Sequence, residues 1–167
     1  RAVKRVFGHQ PFYLLAMRAG RAVGVLPLFR IQSVFAGRML MSVPYATYGG
    51  VLADDEDVAE ELLARARLLA ARDGVRCIEL RSERAADLRS PIRRTHASFQ
   101  KPLPDHCDGV LESIPRKARA AARRAGERHD LRVEFGEHLL EGVWALYARS
   151  MRRLGSPNYP LRFFKEL

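Results

Sequence analysis

The chain has 167 residues, of which 47% are hydrophobic and 29% charged, and it carries a formal net charge of +10 with a pI near 10.4. The apolar content excludes a disordered chain and is enough for one sizeable domain, or for one domain and part of a second. The positive charge favours anionic partners such as phosphates, carboxylates or acidic lipids. Cys77 and Cys107 stand alone, without CxxC spacing, which excludes a disulfide framework and argues against a zinc site.

Membrane-spanning and metal-binding functions are not predicted. No apolar run approaches the roughly 18 residues of a spanning helix, and the first ten residues lack the apolar core of a signal peptide. The sequence therefore predicts a cytoplasmic protein, with a peripheral position at the inner membrane left open. The five histidines lack metal-ligand spacing and are interpreted as surface residues: His9, His96, His106, His129 and His138.

The N-terminal third predicts three strands. Apolar runs at residues 12–17 and 22–31 flank a turn at Ala19 and Gly20, which is typical of a β-hairpin. The segment "RMLMSVP" then predicts a third short strand, which Pro44 stops.

A glycine-containing loop, "YATYGGVLADD", follows the third strand. Its candidate site residues are Tyr45, Tyr48, Gly49 and Gly50. In one interpretation the two tyrosine hydroxyls face a substrate and the glycines admit it, because glycine permits close backbone approach. In the other interpretation the segment is a structural turn with aromatic packing, and the sequence favours neither.

The segment 53–74 predicts the clearest helix. Acidic residues crowd its start and arginines its later turns, the order that the helix dipole favours. Val58, Leu62 and Ala66 recur at helical spacing on a face that should pack on a sheet, and Gly74 should end the helix. A strand follows at 75–82, whose apolar residues, Cys77 among them, predict burial on more than one side and complete a β-α-β step.

The pattern weakens between residues 83 and 104, where one short strand is predicted at 97–100. A domain boundary is expected near residue 105. The predicted domains are residues 1–105 and residues 106–167.

The most unusual segment lies at 113–128. Ser113 is a candidate N-cap and Pro115 suits a first turn, so a helix should begin here. Four small alanines should form a narrow apolar face that lies close to its packing partner. The opposite face would carry six basic residues: Arg116, Lys117, Arg119, Arg123, Arg124 and Arg128.

Three interpretations of this basic helix are open. An interfacial membrane helix is disfavoured, because alanines provide little burial energy in a bilayer. A solvated charged face is the ordinary interpretation of a charge run. Six cations against Glu127 alone would repel one another at helical spacings, however, and this cost points to an anionic ligand or partner.

The C-terminal part predicts a short strand and two helices. Alternation in "LRVEF", residues 131–135, indicates the strand. The stripe Leu140, Val143, Trp144, Tyr147 and Met151 indicates an amphipathic helix whose stripe is core, stopped at Gly155. The last nine residues begin another helix. Sixty-odd residues after the boundary are few for an independent core, so we expect the chain to be a fragment cut inside its second domain.

Several motifs together resemble those of FemAB-like proteins, especially the group associated with bacterial exosortase and exopolysaccharide gene clusters. They are, in chain order, "FYLLAMRAGRAVGVLPLFRIQS", "PYATYGG", "CIELRS", "IPRKARAAARRAGERHDLRVEF" and "LYARSMRRLGSPNYP". The most specific part is "PRKARAAARRA" followed by "SMRRLGSPNYP". The resemblance covers most of the chain.

This resemblance implies an α/β protein of the α+β kind, with two tandem domains of the GCN5-related N-acetyltransferase fold. Each would be a mixed, mostly antiparallel sheet flanked by helices, and the second would be truncated. It implies an N-acyltransferase or aminoacyltransferase that acts on an amine of a cell-envelope or exopolysaccharide precursor. The donor, a co-substrate and not a bound cofactor, would be acetyl-CoA or aminoacyl-tRNA. The sequence lacks the (Q/R)xxGx(G/A) loop that binds the acetyl-CoA pyrophosphate in that superfamily, so the donor stays open.

By the same resemblance, the basic helix would hold phosphates of a nucleotide-linked or lipid-linked acceptor, or of tRNA. The candidate substrate-binding residues there are Arg116, Lys117, Arg119 and Arg123, since arginine suits bidentate phosphate contact and lysine provides a point charge. No catalytic residue is predicted. The alternative function is a non-catalytic relative of this fold that binds nucleic acid or an acidic polymer through the basic helix.

Overall fold

The computed structural model describes residues 1–34, 37–82, 91–93, 97–129 and 131–167. Six α-helices and five β-strands are assigned within these residues, with a single 3₁₀ turn at Glu137–Leu139. In chain order the elements are α1 (Ala2–Phe7), β1 (Gln10–Arg18), β2 (Arg21–Ser33), β3 (Gly37–Ser42), β4 (Leu52–Ala53), α2 (Glu56–Arg72), β5 (Cys77–Glu79), α3 (Asp108–Ser113), α4 (Arg116–His129), α5 (Leu140–Arg153) and α6 (Leu161–Glu166).

Contacts divide the chain into two units. The first unit consists of Arg1–Ile92 and Trp144–Leu167, and the second of Arg93–Val143. The C-terminal residues thus group with the N-terminal part of the chain. The domain boundary expected near residue 105 stays a prediction.

The predicted hairpin is confirmed. β1 and β2 pair antiparallel from Gln10 opposite Arg30 to Arg18 opposite Arg21. The two turn residues have left-handed φ angles, 49° at Ala19 and 79° at Gly20. Such turns match the right-handed twist of paired strands, and this match explains why a two-residue connection suffices.

One mixed sheet contains all five strands, in the order β1-β2-β3-β5, with β4 paired to β2. Three of its four pairings are antiparallel, and β3 and β5 are parallel. The parallel pair requires a crossover, which α2 provides. The fold is therefore mixed α/β, with a mostly antiparallel sheet flanked by helices, as predicted at this level.

The main core lies between the sheet and α2. The predicted apolar face of the helix is buried, with Ala66 fully inaccessible, and it packs against Leu26 and Leu28 of the central strand β2. The carboxylate of Asp55 caps the helix by accepting from the N–H of Val58 at 2.9 Å. This bond and a second one from Arg18 lower the pKa of Asp55.

Strand β5 corrects one prediction. Val75, Ile78 and Leu80 pack at the edge of the core, but Cys77 is exposed. Because successive side chains of a strand point to opposite faces, the neighbour of core-packed Ile78 points away from α2. The prediction that Cys77 is buried was wrong.

A smaller cluster joins the two ends of the chain within the first unit. Ala2 and Val6 of α1 are buried with Phe163 of α6. Arg5 and Glu166 form a salt bridge at 3.0 Å, and Arg162 donates to the carbonyl oxygen of Val6 at 2.6 Å. These contacts hold α6 against α1.

In the second unit two predicted strands do not form. Residues 97–100 and 131–135 belong to no ladder among the described residues, and Val133 and Phe135 are 79% and 89% exposed. An alternating pattern forms a strand only where a neighbouring strand offers hydrogen-bond partners. The basic helix begins at Arg116 and not at Ser113, whose hydroxyl donates to the carbonyl oxygen of Val110 and closes α3.

Helix α5 forms as predicted but is less buried than expected. No residue of α5 is fully buried, and Val143 is 55% exposed. Trp144 is half-buried and donates from Nε1 to the carbonyl oxygen of Tyr159 at 2.8 Å. Trp144 and Tyr147 of the stripe therefore contact the chain that leads into α6, and the stripe does not form a closed core. Gly155, at φ 68°, ends the helix as predicted.

Candidate functional site

The first candidate site is the loop of residues 43–50, called here the tyrosine–glycine loop. It leaves the sheet after Ser42 at the end of β3, and the chain returns to the sheet at β4. The hydroxyl of Ser42 is buried, donates to the carbonyl oxygen of Gly49 at 2.5 Å and accepts from the N–H of Arg81 at 2.9 Å. Gly49 also donates to the carbonyl oxygen of Arg81 at 2.6 Å. The end of the loop is thereby fixed to the chain beyond β5.

The loop contains backbone strain. Val43 and Tyr45 have left-handed φ angles of 42° and 70°. A β-branched residue in this region is a genuine outlier, and each such residue costs on the order of 1–3 kcal/mol. Strained residues of this kind persist only where the surroundings determine them, and they concentrate at functional sites.

The two predicted glycines have close neighbours in the structure. A Cβ on Gly49 would lie 2.3 Å from Cγ2 of Val43, and one on Gly50 would lie 2.4 Å from Oγ of Ser82. The missing side chains at Gly49 and Gly50 therefore permit close approach to Val43 and Ser82. Their predicted role in admitting a substrate stays a prediction.

Tyr45 is part of an aromatic cluster. Its ring stacks on Phe7 at a centroid distance of 4.1 Å and meets the edges of Tyr159 at 5.5 Å and Phe163 at 5.9 Å. Its hydroxyl lies 2.7 Å from Nε2 of His9. The loop thus extends from the end of β3 to the contact between α1 and α6.

His9 is the residue that sequence reasoning missed. It was interpreted as a surface residue, but it is half-buried and bonded to Tyr45, 36 positions away. Burial lowers the pKa of the His9 imidazole. Burial, and then the neighbouring Tyr159, raise the pKa of the Tyr45 phenol. No local pattern signals such a pair, because only the fold brings the two positions together.

Tyr48 shares the loop with Tyr45 but not its surroundings. It is 38% exposed, whereas Tyr45 is half-buried against the aromatic cluster. The loop therefore presents two unlike phenols, one engaged with His9 and one more open to solvent. That both hydroxyls face a substrate stays a prediction.

The second candidate site is helix α4 in the second unit. Arg116, Lys117 and Arg123 are exposed, and Arg119 is half-buried. None of the six basic residues of α4 forms a salt bridge with a residue in the described part of the chain. Nε of Arg119 is buried and has no hydrogen-bond partner within the same residues. The cations of α4 are thus not neutralised there.

The alanine face of α4 does not pack as predicted. Ala118, Ala121 and Ala122 are exposed and Ala125 is half-buried, so the helix has no buried residue. Alanine offers little area to bury, and packing on this face would therefore stabilise the helix only weakly. The two candidate sites lie in different units, and each is described by itself.

A shallow cavity lies apart from all the predicted site residues. It has a volume of about 260 Å³ and is lined by β1 and α2. Three leucines and two arginines form its wall: Leu14, Arg65, Leu68, Leu69 and Arg72. Arg65 and Arg72 are already paired with Glu61 and Asp73.

Metal-ligand clusters and spanning helices were also sought in the described part of the chain. No group of three or more His, Cys, Asp or Glu residues there is placed to hold a metal ion. None of the helices found there has the length and apolarity to cross a bilayer. Comparisons with protein-family models, curated proteins and solved structures found no match for this chain.

Proposed function

We propose that this chain belongs to an N-acyltransferase or aminoacyltransferase that acts on an amine of a phosphate-bearing cell-envelope or exopolysaccharide precursor. The inference of an anionic substrate rests on one observation: the exposed cations of α4 lack carboxylate partners among the described residues. The reaction type rests on the resemblance to FemAB-like proteins. The mixed, mostly antiparallel sheet flanked by helices is compatible with the α+β class, to which the fold implied by this resemblance belongs.

In this proposal α4 binds the phosphates of the acceptor, and the acyl donor is acetyl-CoA or aminoacyl-tRNA. Arg116, Arg119 and Arg123 lie along one line of the helix and can make bidentate contacts with phosphate oxygens. Lys117 adds a point charge beside them.

The test is transfer of label from acetyl-CoA or from a charged tRNA to an amine-bearing, diphosphate-linked envelope precursor. The variant Arg116→Ala, Lys117→Ala, Arg119→Ala removes three cations from α4. We expect KM for the precursor to rise at least about tenfold, because a charge-assisted hydrogen bond contributes roughly 1.5–3 kcal/mol and 1.4 kcal/mol corresponds to a factor of ten.

The matched control removes three arginines from α2: Arg65→Ala, Arg67→Ala, Arg72→Ala. These side chains are exposed, so the control changes the net charge equally without touching α4. An equal rise of KM in both variants would show a general charge effect. Unchanged KM in the α4 variant would contradict the role proposed for the helix.

A second function is favoured by the same helix. The chain would bind nucleic acid or an acidic polymer through α4 without catalysis, which its net charge of +10 supports. Binding to mixed-sequence DNA or RNA would then weaken steeply with salt. The α4 variant would reduce the slope of log K against log salt by about 0.9 for each phosphate that the helix no longer neutralises. Steep salt dependence without transfer from either donor would favour this function over the transferase.

A further inference from the structure

Packing does not explain the hydrogen bond between His9 and Tyr45. The ring of Tyr45 contacts Phe7, Tyr159 and Phe163, and a phenylalanine at position 45 would fill the same space. The hydroxyl adds one interaction to these, the 2.7 Å approach to Nε2 of His9. Both residues are half-buried, so each keeps some surface that solvent can reach.

The backbone that positions Tyr45 is strained. Its backbone has φ 70°, and that of Val43 has φ 42°, values that side-chain-bearing residues seldom adopt. The hydroxyl of Ser42 fixes the loop through Gly49 and Arg81, and the aromatic rings fix it at Tyr45. Strain that is stabilised from both ends of a loop points to a defined placement of the phenol.

We propose that His9 and Tyr45 are the proton-transfer pair of the acyl transfer, with the Tyr45 hydroxyl in contact with the acceptor amine. This inference rests on the proposed function. The amine lone pair attacks the carbonyl carbon of the thioester or ester donor, a C–N bond forms, and the C–S or C–O bond breaks. The amine proton passes to the oxygen of Tyr45 as the Tyr45 proton passes to Nε2 of His9. His9 then returns one proton to the leaving thiolate or alkoxide.

The surroundings keep both groups in the protonation states that this step needs. Burial lowers the pKa of the His9 imidazole, which favours its neutral form, and in the tautomer with the proton on Nδ1 its Nε2 can accept a proton. Burial and the neighbouring Tyr159 raise the pKa of Tyr45, which therefore remains protonated.

Three arginines on the elements around the pair have partners other than His9 and Tyr45. Arg5 of α1 pairs with Glu166 of α6, and Arg162 of α6 donates to the carbonyl oxygen of Val6. Arg81, beyond β5, pairs with Glu79.

Two substitutions separate the chemistry from the packing. Tyr45→Phe retains the ring and removes the hydroxyl. His9→Gln retains an acceptor for the hydroxyl but cannot take up a proton at neutral pH. The control is Tyr13→Phe, which removes an exposed phenol of β1 that packs on Phe29. Thermal unfolding of each variant checks that it folds.

The labelled-donor assay then gives kcat and KM for each variant. We expect kcat to fall about a hundredfold or more in both site variants, the usual contribution of a positioned acid–base group. KM for the precursor should stay within about threefold, in contrast to the α4 variant. The acid limb of the pH profile of kcat should disappear in His9→Gln, and Tyr13→Phe should leave both constants unchanged.

The outcomes are distinguishable. If the unmodified chain transfers label and both site variants keep kcat within about threefold, the proton-transfer role of the pair is overturned and the proposed function stands. If the unmodified chain transfers no label from either donor, both proposals fail. A proton NMR titration of His9 tests the bond itself, since loss of the hydroxyl beside Nε2 in Tyr45→Phe should shift the pKa of His9. An unchanged His9 titration in that variant would also overturn the pair.

Discussion

Helices α2 and α4 are similar in length and both rich in alanine and arginine, yet they are stabilised in different ways. α2 buries five of its seventeen residues, whereas α4 buries none of its fourteen. Arg65 and Arg72 of α2 pair with acidic neighbours, but the cations of α4 have no such partner among the described residues. Burial explains the sequence of α2. It does not explain that of α4, for which an anionic partner is proposed above.

The largest effect is expected from a truncation in the core that α2 covers. Leu26 in β2 is fully buried against α2. We expect Leu26→Ala to lower the free energy of unfolding by about 2–5 kcal/mol, because the shortened side chain leaves a cavity. Urea unfolding followed by circular dichroism measures this change.

The control for this truncation lies in the second unit. Val133 is 79% exposed. Val133→Ala should change the free energy of unfolding by no more than about 0.5 kcal/mol. Equal effects of the two truncations would remove the contrast between a packed unit and an unpacked segment.

Replacing one glycine near each helix by alanine should change the free energy of unfolding in opposite directions. A Cβ on Gly24 of β2 would lie 2.6 Å from Cγ1 of Val58 and 3.0 Å from Cδ1 of Leu62, both on α2. We expect Gly24→Ala to lower the free energy of unfolding by about 1–3 kcal/mol, because the core has no room. Thermal unfolding would register the loss as a lower Tm.

Gly126 in α4 is the matched position. A Cβ there would meet no described atom within 4 Å. Gly126→Ala should therefore stabilise α4 by about 0.5–1 kcal/mol, since glycine disfavours a helix interior. The helix content of the protein should rise accordingly. A loss of helix content in this variant would mean that α4 packs closely at Gly126.

The smallest expected effects come from reversing one charge on each helix. Arg65→Glu in α2 replaces an attractive pair with Glu61 by a repulsive one, and it should destabilise the helix. Arg119→Glu in α4 places a carboxylate three residues after Arg116 and four before Arg123. It should stabilise the helix by about 0.2–0.5 kcal/mol per pair. Circular dichroism at low salt measures both changes, and about 1 M salt should largely remove them. Equal signs in the two variants would contradict the comparison.

Much of the fold could be predicted because its signals are local. The hairpin, the third strand and α2 follow from alternation, helical spacing and turn residues close in sequence, and all are confirmed. Two strands, at 97–100 and 131–135, were predicted from the same kind of pattern and do not form among the described residues. Strand formation depends on a partner, and no local pattern states whether one is present.

The candidate site divides in the same way. The charge of α4 could be predicted from the sequence, because six basic residues at helical spacing need only a helix to share one face. The bond from His9 to Tyr45 could not, since neither residue has a distinctive neighbour in sequence. The left-handed backbone of Val43 and Tyr45 was equally unexpected, because both residue types disfavour it.

Local sequence is enough to locate the hairpin, the longer helices and the concentration of positive charge. These depend on propensity, periodicity and charge, which act over a few residues. The bonds from Ser42 and Arg81 that fix the loop at Gly49, and the contact of His9 with Tyr45, depend on the folded chain. Such contacts depend on sheet order and on packing between distant segments, and the residues next to them in sequence do not indicate either.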